Sequence, residues 1–146
     1  MPEITRMGRA EWSGDLRGGH GRTSTARGTV SDLSYSVGSR FENARGTNPE
    51  ELVAAAHASC FSMMLSKILS DQRKWPTRIS TEAKLTLRQD NNGAKITGVH
   101  LVAEASVEGM DAETFRRAAE QAKEQCPVST LLKPGLEKLS LEARLV

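Results

Sequence analysis

Cys60 and Cys126 are the only two thiols in a chain of 146 residues, and they stand 66 residues apart. A thiolate is a nucleophile, a metal ligand and a two-electron reductant, so these two positions carry most of the chemistry open to this sequence. His57 precedes Cys60 by one helical turn and could serve it as the base of a cysteine hydrolase, although no third residue that would orient such a base is evident. Cys60, His57 and Cys126 could also share a zinc ion. Structural zinc sites use closely spaced ligand pairs such as CxxC or HxxxH, and neither occurs here. Because Cys60 is flanked by apolar residues, a small core side chain is the plain alternative to a reactive one. Cys126 precedes Pro127, which suits the first position of a helix; that places its sulfur at a helix N-terminus, where the partial positive charge favours thiolate.

The element that must hold Cys60 is residues 48–72, NPEELVAAAHASCFSMMLSKILSDQ. Asn48 can cap a helix, Pro49 fits its first position, and Glu51 stands where a capping-box acid reaches back. From Leu52 to Leu69 the apolar and small residues cover most of the helix circumference, which predicts a helix packed on several sides. A monomer of this size has little material to cover such a helix all round, and pairing of two chains around two such helices would supply it.

Before the helix, residues 4–12 and 23–30 have strand character, and Tyr35 and Phe41 lie in a third candidate strand, 34–41. The glycine-rich residues 15–22, DLRGGHGR, lack the Lys and Ser/Thr of a phosphate-binding loop and fit a hairpin turn better. After the helix, Ile79, Thr81, Ala83, Leu85 and Leu87 alternate with polar residues, as do Val99, Leu101, Ala103, Ala105 and Val107. With Asn91-Asn92-Gly93 between them, the two runs predict a long antiparallel hairpin. Asp111 caps an amphipathic helix that ends at Cys126-Pro127, a short helix runs on to Leu132, and residues 139–145 form a last strand. The sum is a single α+β domain, 1–146, with antiparallel sheets packed around a long buried central helix.

A domain of this length can bury roughly 70% of the surface its unfolded chain exposes, so it needs no disulfide staples. Twenty basic and 18 acidic residues are interspersed to a net charge of +2, and aromatic residues make up 4%. Neither fits a nucleic-acid partner. The N-terminus has no apolar signal core, and no uninterrupted run reaches the roughly 18 apolar residues of a membrane span, so a cytoplasmic protein is expected.

The segments around the two cysteines resemble the OsmC/Ohr family of thiol-dependent hydroperoxide reductases. The likeness is carried by Arg40-Phe41-Glu42, by GTNPEE at 46–51, by AAHASC at 55–60 running on through Phe61-Ser62-Met63, and by CPVS at 126–129. It is closer to the OsmC branch than to the Ohr branch. Ohr proteins carry an active-site arginine in the glycine-rich loop, where this chain has His20; in the OsmC branch the arginine precedes the Phe-Glu pair, which maps onto Arg40. Arg22 is the other arginine that could serve.

The resemblance implies a reaction carried by sulfur alone, with no cofactor. Cys60 would attack the hydroperoxide, Cys126 would resolve the resulting sulfenic acid as a disulfide, Arg40 would activate, and Glu50 would orient Arg40 through a bidentate pair. An external dithiol would reset the pair, the part that lipoylated proteins play for some members of the family. A redox sensor or ligand-binding protein using the same cysteines, and a hydrolase using His57, are the alternatives. Glu50 and Cys60 are ten residues apart, about 15 Å along a straight helix, too far to share one site. Either the first turn bends back or Glu50 serves the cysteine of a second chain; the second also covers the apolar helix, so an intertwined homodimer with two composite sites is expected.

Overall fold

The computed structural model describes residues 2–146, which form two compact units, the first ending at Leu52 and the second running Val53–Val146. In the first, strands β1 (Gly8–Ser13), β2 (His20–Thr25) and β3 (Leu33–Tyr35) make an antiparallel meander. The β1–β2 turn, residues 14–19, holds the first part of the glycine-rich segment, whose last three residues open β2; Gly14 in the turn has a φ of +93°. Residues 34–41 do not form the single strand expected of them. β3 stops at Tyr35 and a short helix α1 (Val37–Phe41) follows, because Ser36 and Ser39 close a capping box in which each side chain accepts from the other's backbone N–H. Local polar bonds at the serines outweigh the strand preference of Val37 and Phe41.

Helix α2 (Pro49–Asp71) starts in this unit and is unbroken through 23 residues. Asn48 caps it, its Oδ1 accepting from the Glu51 N–H at 2.8 Å. The Asn48 Nδ2 donates to the Ser39 carbonyl at 3.0 Å, and Ser39 Oγ donates to the Thr47 carbonyl at 2.7 Å, so α1 is tied to the start of α2. Gly46 lies between them at a φ of +121°, and a Cβ there would stand 2.6 Å from the Ser34 carbonyl oxygen. Only glycine lets the chain through at this point.

The second unit is built on a sheet of order β4-β5-β6, from β4 (Pro76–Asp90), β5 (Gly93–Val107) and β6 (Lys138–Leu145). β4 and β5 are the expected antiparallel hairpin. β6 pairs parallel to β5, which differs from an all-antiparallel arrangement. The crossover through α3 (Ala112–Gln125) and α4 (Pro127–Leu132) returns the chain to the end at which β5 began, so the last strand runs alongside it. Val99, Leu101, Ala103, Ala105 and Val107 turn one face of β5 into the core. There they meet Phe61, Leu65, Ile68 and Leu69 of α2 and Phe115, Ala118, Ala119 and Ala122 of α3.

Helix α2 is not buried on all sides by its own chain. Phe61, Leu65 and Leu69 are fully buried, but Ala55, Ala56, Ser59 and Met63 form an exposed stripe at helical spacing, with Met63 at 76% exposure. By length and composition α2 would also suffice to cross a membrane, although no uninterrupted apolar run is present; the window that passes includes His57 and several serines. Helix α2 thus has one face on the core and the other bare.

Candidate functional site

Two clusters carry the chemistry, one in each unit. In the first, the Asn48 and Ser39 bonds hold α1 against the first turn of α2, which sets Arg40 opposite Glu50. Arg40 Nε donates to both Glu50 carboxylate oxygens, at 3.0 and 3.1 Å, and Nη2 donates to Oε1 at 2.6 Å. Glu50 is buried, and the guanidinium lies 5.1 Å from the centre of the Phe41 ring. The fork is therefore fixed on one edge. Arg40 Nη1 bonds to no group among the described residues, so its hydrogens can be offered to an anion.

Beside Arg40 is a cleft of about 220 Å³, walled by Trp12, Leu16, Tyr35, Val37 and Phe41. Neither Trp12 nor Tyr35 carries a functional signal in the sequence pattern. Their rings lie 5.6 Å apart, and a Cβ on Gly21, the residue between them in the strand register, would meet the Tyr35 ring at 2.3 Å. A glycine paired across strands with two aromatic residues is the signal that could have found this wall. Arg22 points elsewhere: its Nη1 donates to the Asp32 carbonyl at 3.1 Å, and Arg40 rather than Arg22 pairs with Glu50. His20 opens β2 opposite Ser13 and is exposed.

In the second unit, the cysteines separated by 66 residues are brought together. Both are free, Cys126 buried and Cys60 half-buried, and Cys126 is a close enough neighbour to act on the ionisation of Cys60. Cys126 ends α3 and caps α4, with Pro127 in the first position of α4 as the sequence predicts. The Val128 amide, in the first turn of α4, favours the thiolate of Cys60. Burial and the neighbouring Cys126 thiol nevertheless push the Cys60 thiol above its ordinary range, with the Val128 amide opposing them. A cation brought to Cys60 would reverse that balance.

His57 is fully buried, and its Nε2 lies 2.7 Å from Ser129 Oγ, also buried. Its Nδ1 has no partner among the described residues. A hydrolase base would have to hold the Cys60 thiol; the engaged nitrogen holds Ser129 instead. Burial lowers the imidazole pKa below 6.5, so His57 is neutral near pH 7. A group depressed in this way contributes stability that is present above the unfolded pKa and lost as pH falls through it toward the folded pKa. Wild type is therefore expected to lose more stability between about pH 7.5 and 5.5 than His57→Gln, which can keep a bond to Ser129 without titrating; urea midpoints at the two pH values check this.

Residues 42–137 match the family model for OsmC-like proteins. Peroxiredoxin OsmC of Escherichia coli strain K12 is 45% identical over 130 residues, covering 89% of this chain and 91% of that protein. Organic hydroperoxide resistance protein OhrB of Bacillus subtilis strain 168 is 30% identical over 129 residues, covering 86% and 93%. The crystal structure of B. subtilis OhrB superposes with a TM-score of 0.72 at 27% identity, over 94% of this chain and 98% of that one. An OsmC-like protein of unknown function from Vibrio cholerae shares the fold, with a TM-score of 0.75 at 16% identity over 97% and 99%.

Proposed function

Because the chain belongs to the OsmC family, we propose that it is a thiol-dependent peroxidase that reduces organic hydroperoxides, and more weakly hydrogen peroxide. The observation that carries this reading is that two free thiols, one from α2 and one from the α3–α4 junction, are brought together as neighbours. The naming of the E. coli relative as a peroxiredoxin and of the B. subtilis relative as an organic hydroperoxide resistance protein supports it.

The Cys60 thiolate attacks one peroxide oxygen, the O–O bond breaks, and the alkoxide leaves and takes a proton to become the alcohol. Cys60 is left as a sulfenic acid. Cys126 then attacks the Cys60 sulfur, a disulfide forms, and water leaves. An external dithiol reduces that disulfide by two exchanges and is itself oxidised to a disulfide. A lipoyl group has the right chemistry for this, and a reducing compartment such as the cytoplasm would keep it supplied.

Arg40 fits the remaining requirement, a fixed cation that lowers the Cys60 pKa and stabilises the leaving alkoxide, with Glu50 holding the guanidinium in place. The apolar cleft beside Arg40 suits the organic part of a hydroperoxide. Since α2 is unbroken, its first turn does not bend back to carry Glu50 to Cys60. The reading is thus a homodimer in which each site takes its cysteines from one chain and its Arg40–Glu50 pair from the other. The bare stripe through Ala55, Ala56, Ser59 and Met63 supports a second copy as its cover.

One equivalent of an alkyl hydroperoxide per chain should reduce the free-thiol count from two to zero, and excess dithiol should then sustain many turnovers. Thiol titration and steady-state peroxide consumption measure the two parts. Loss of thiols without turnover would mark a redox sensor instead, and no loss at all would overturn the peroxidase reading.

A further inference from the structure

His57 and Ser129 are three residues from the two cysteines in opposite directions, His57 before Cys60 and Ser129 after Cys126. Their side chains meet at 2.7 Å, and the two cysteines are neighbours one turn away. Two contacts thus join α2 to α4 one turn apart, which means the helices cross with opposed chain directions at this point. α4 has only six residues and leads at once into a single turn of 3-10 helix at Lys133–Gly135. A segment this short owes its placement to what it is anchored on rather than to its own helical bonding.

The bond is also set in a place where it is hard to replace. His57 is 0% exposed and Ser129 is 1% exposed, so neither can exchange its partner for bulk water. Breaking it would strand a second buried polar atom beside the already unpartnered His57 Nδ1. A buried histidine left half-satisfied is an unusual thing to keep solely for packing, when an apolar residue would fill the space without cost.

We infer that the His57–Ser129 hydrogen bond is a positioning device for the resolving step, holding Cys126 within bonding reach of the oxidised Cys60. The two side chains hydrogen-bond each other, and they act through the seating of α4. This rests on the peroxidase reading for its biological role, but the geometry it describes can be tested without a peroxide. The step concerned is attack of the Cys126 thiolate on the sulfur of Cys60–SOH, forming the S–S bond and releasing water. Its competitor is a second hydroperoxide molecule, which oxidises the same sulfenic acid to sulfinic acid and leaves as the alcohol. Faster closure of the disulfide protects Cys60 from that irreversible loss. Proximity is what an intramolecular step of this kind gains most from.

The test compares wild type with Ser129→Ala, Ser129→Thr and His57→Gln. The first loses the bond, while the second and third can keep it. Rapid mixing with an alkyl hydroperoxide, quenched with dimedone and read by mass spectrometry, follows sulfenic acid, disulfide and sulfinic acid in time. Ser129→Ala is expected to slow disulfide closure by about tenfold relative to the first oxidation step, and to raise the sulfinic fraction in proportion. The hydroxyl-bearing Ser129→Thr and the amide-bearing His57→Gln should restore much of it. A second arm loads Cys60 with glutathione from its disulfide and times the release of glutathione by Cys126; the same tenfold slowing is expected. Wild-type closure rates in Ser129→Ala in both arms would overturn the positioning role. Failure of wild type to react with hydroperoxide, with the glutathione arm showing the predicted slowing, would overturn the peroxidase reading alone. If Ser129→Ala does not fold, the comparison rests on His57→Gln against His57→Leu, where only the glutamine variant should close at close to the wild-type rate.

Discussion

Cys60→Ser is expected to drop dithiol-dependent hydroperoxide consumption to the uncatalysed background, a loss of at least about 10³-fold. A serine hydroxyl at this position is almost fully protonated and cannot expand to a sulfenic acid, so both the nucleophile and the oxidised intermediate disappear together. The fold should tolerate the change, because Cys60 is half-buried and serine is nearly its size. Cys126→Ser separates the steps: the first equivalent of hydroperoxide is still consumed, then Cys60 stalls as a dimedone-reactive sulfenic acid. Peroxide consumption assays with circular dichroism as the folding control measure both variants. Undiminished turnover in Cys60→Ser would remove the thiol mechanism altogether.

What the sequence discloses about this fold follows the range of the forces involved. Asn48-Pro49 and Asp111 announce helix starts because capping is a bond between near neighbours, and Asn91-Asn92-Gly93 announces the β4–β5 turn for the same reason. The short helix at Val37–Phe41 was missed although its capping box is equally local, since Val37 and Phe41 suggest a strand and the signal lay in two serines. Parallel pairing of β6 could not be read from residues 139–145, because its alternating pattern is the same whichever way the strand enters the sheet. In the candidate site, the GTNPEE and AAHASC strings pointed to Glu50 and Cys60 through family resemblance. His57 was visible, but its partner Ser129 lies 72 residues away, and only the packing of α4 on α2 reveals the pair. Trp12 and Tyr35 were passed over because an aromatic wall is made by strand register, which the glycine-rich turn and the early end of β3 decide.

Mixing two inactive variants tests the origin of the two halves of the site. Arg40→Met leaves the cysteines intact but removes the cation and should reduce turnover by on the order of 10²-fold or more, as loss of a preorganised charge-stabilising donor does. Cys60→Ser leaves Arg40 and Glu50 intact. If each site draws its thiols and its arginine from different chains, a heterodimer of the two variants has one site with both defects and one with none. Random reassortment makes half of the dimers mixed, so mild denaturation and refolding of an equimolar mixture should recover about a quarter of wild-type turnover. If thiols and arginine come from one chain, every site in the mixture carries a defect and no activity returns. Steady-state assays on the mixture before and after reassortment, with size-exclusion chromatography to follow the dimer, distinguish the two. Recovery requires both the second copy and the exchange of catalytic groups across it. The ten-residue separation of Glu50 and Cys60 on an unbroken helix is the physical reason to expect it.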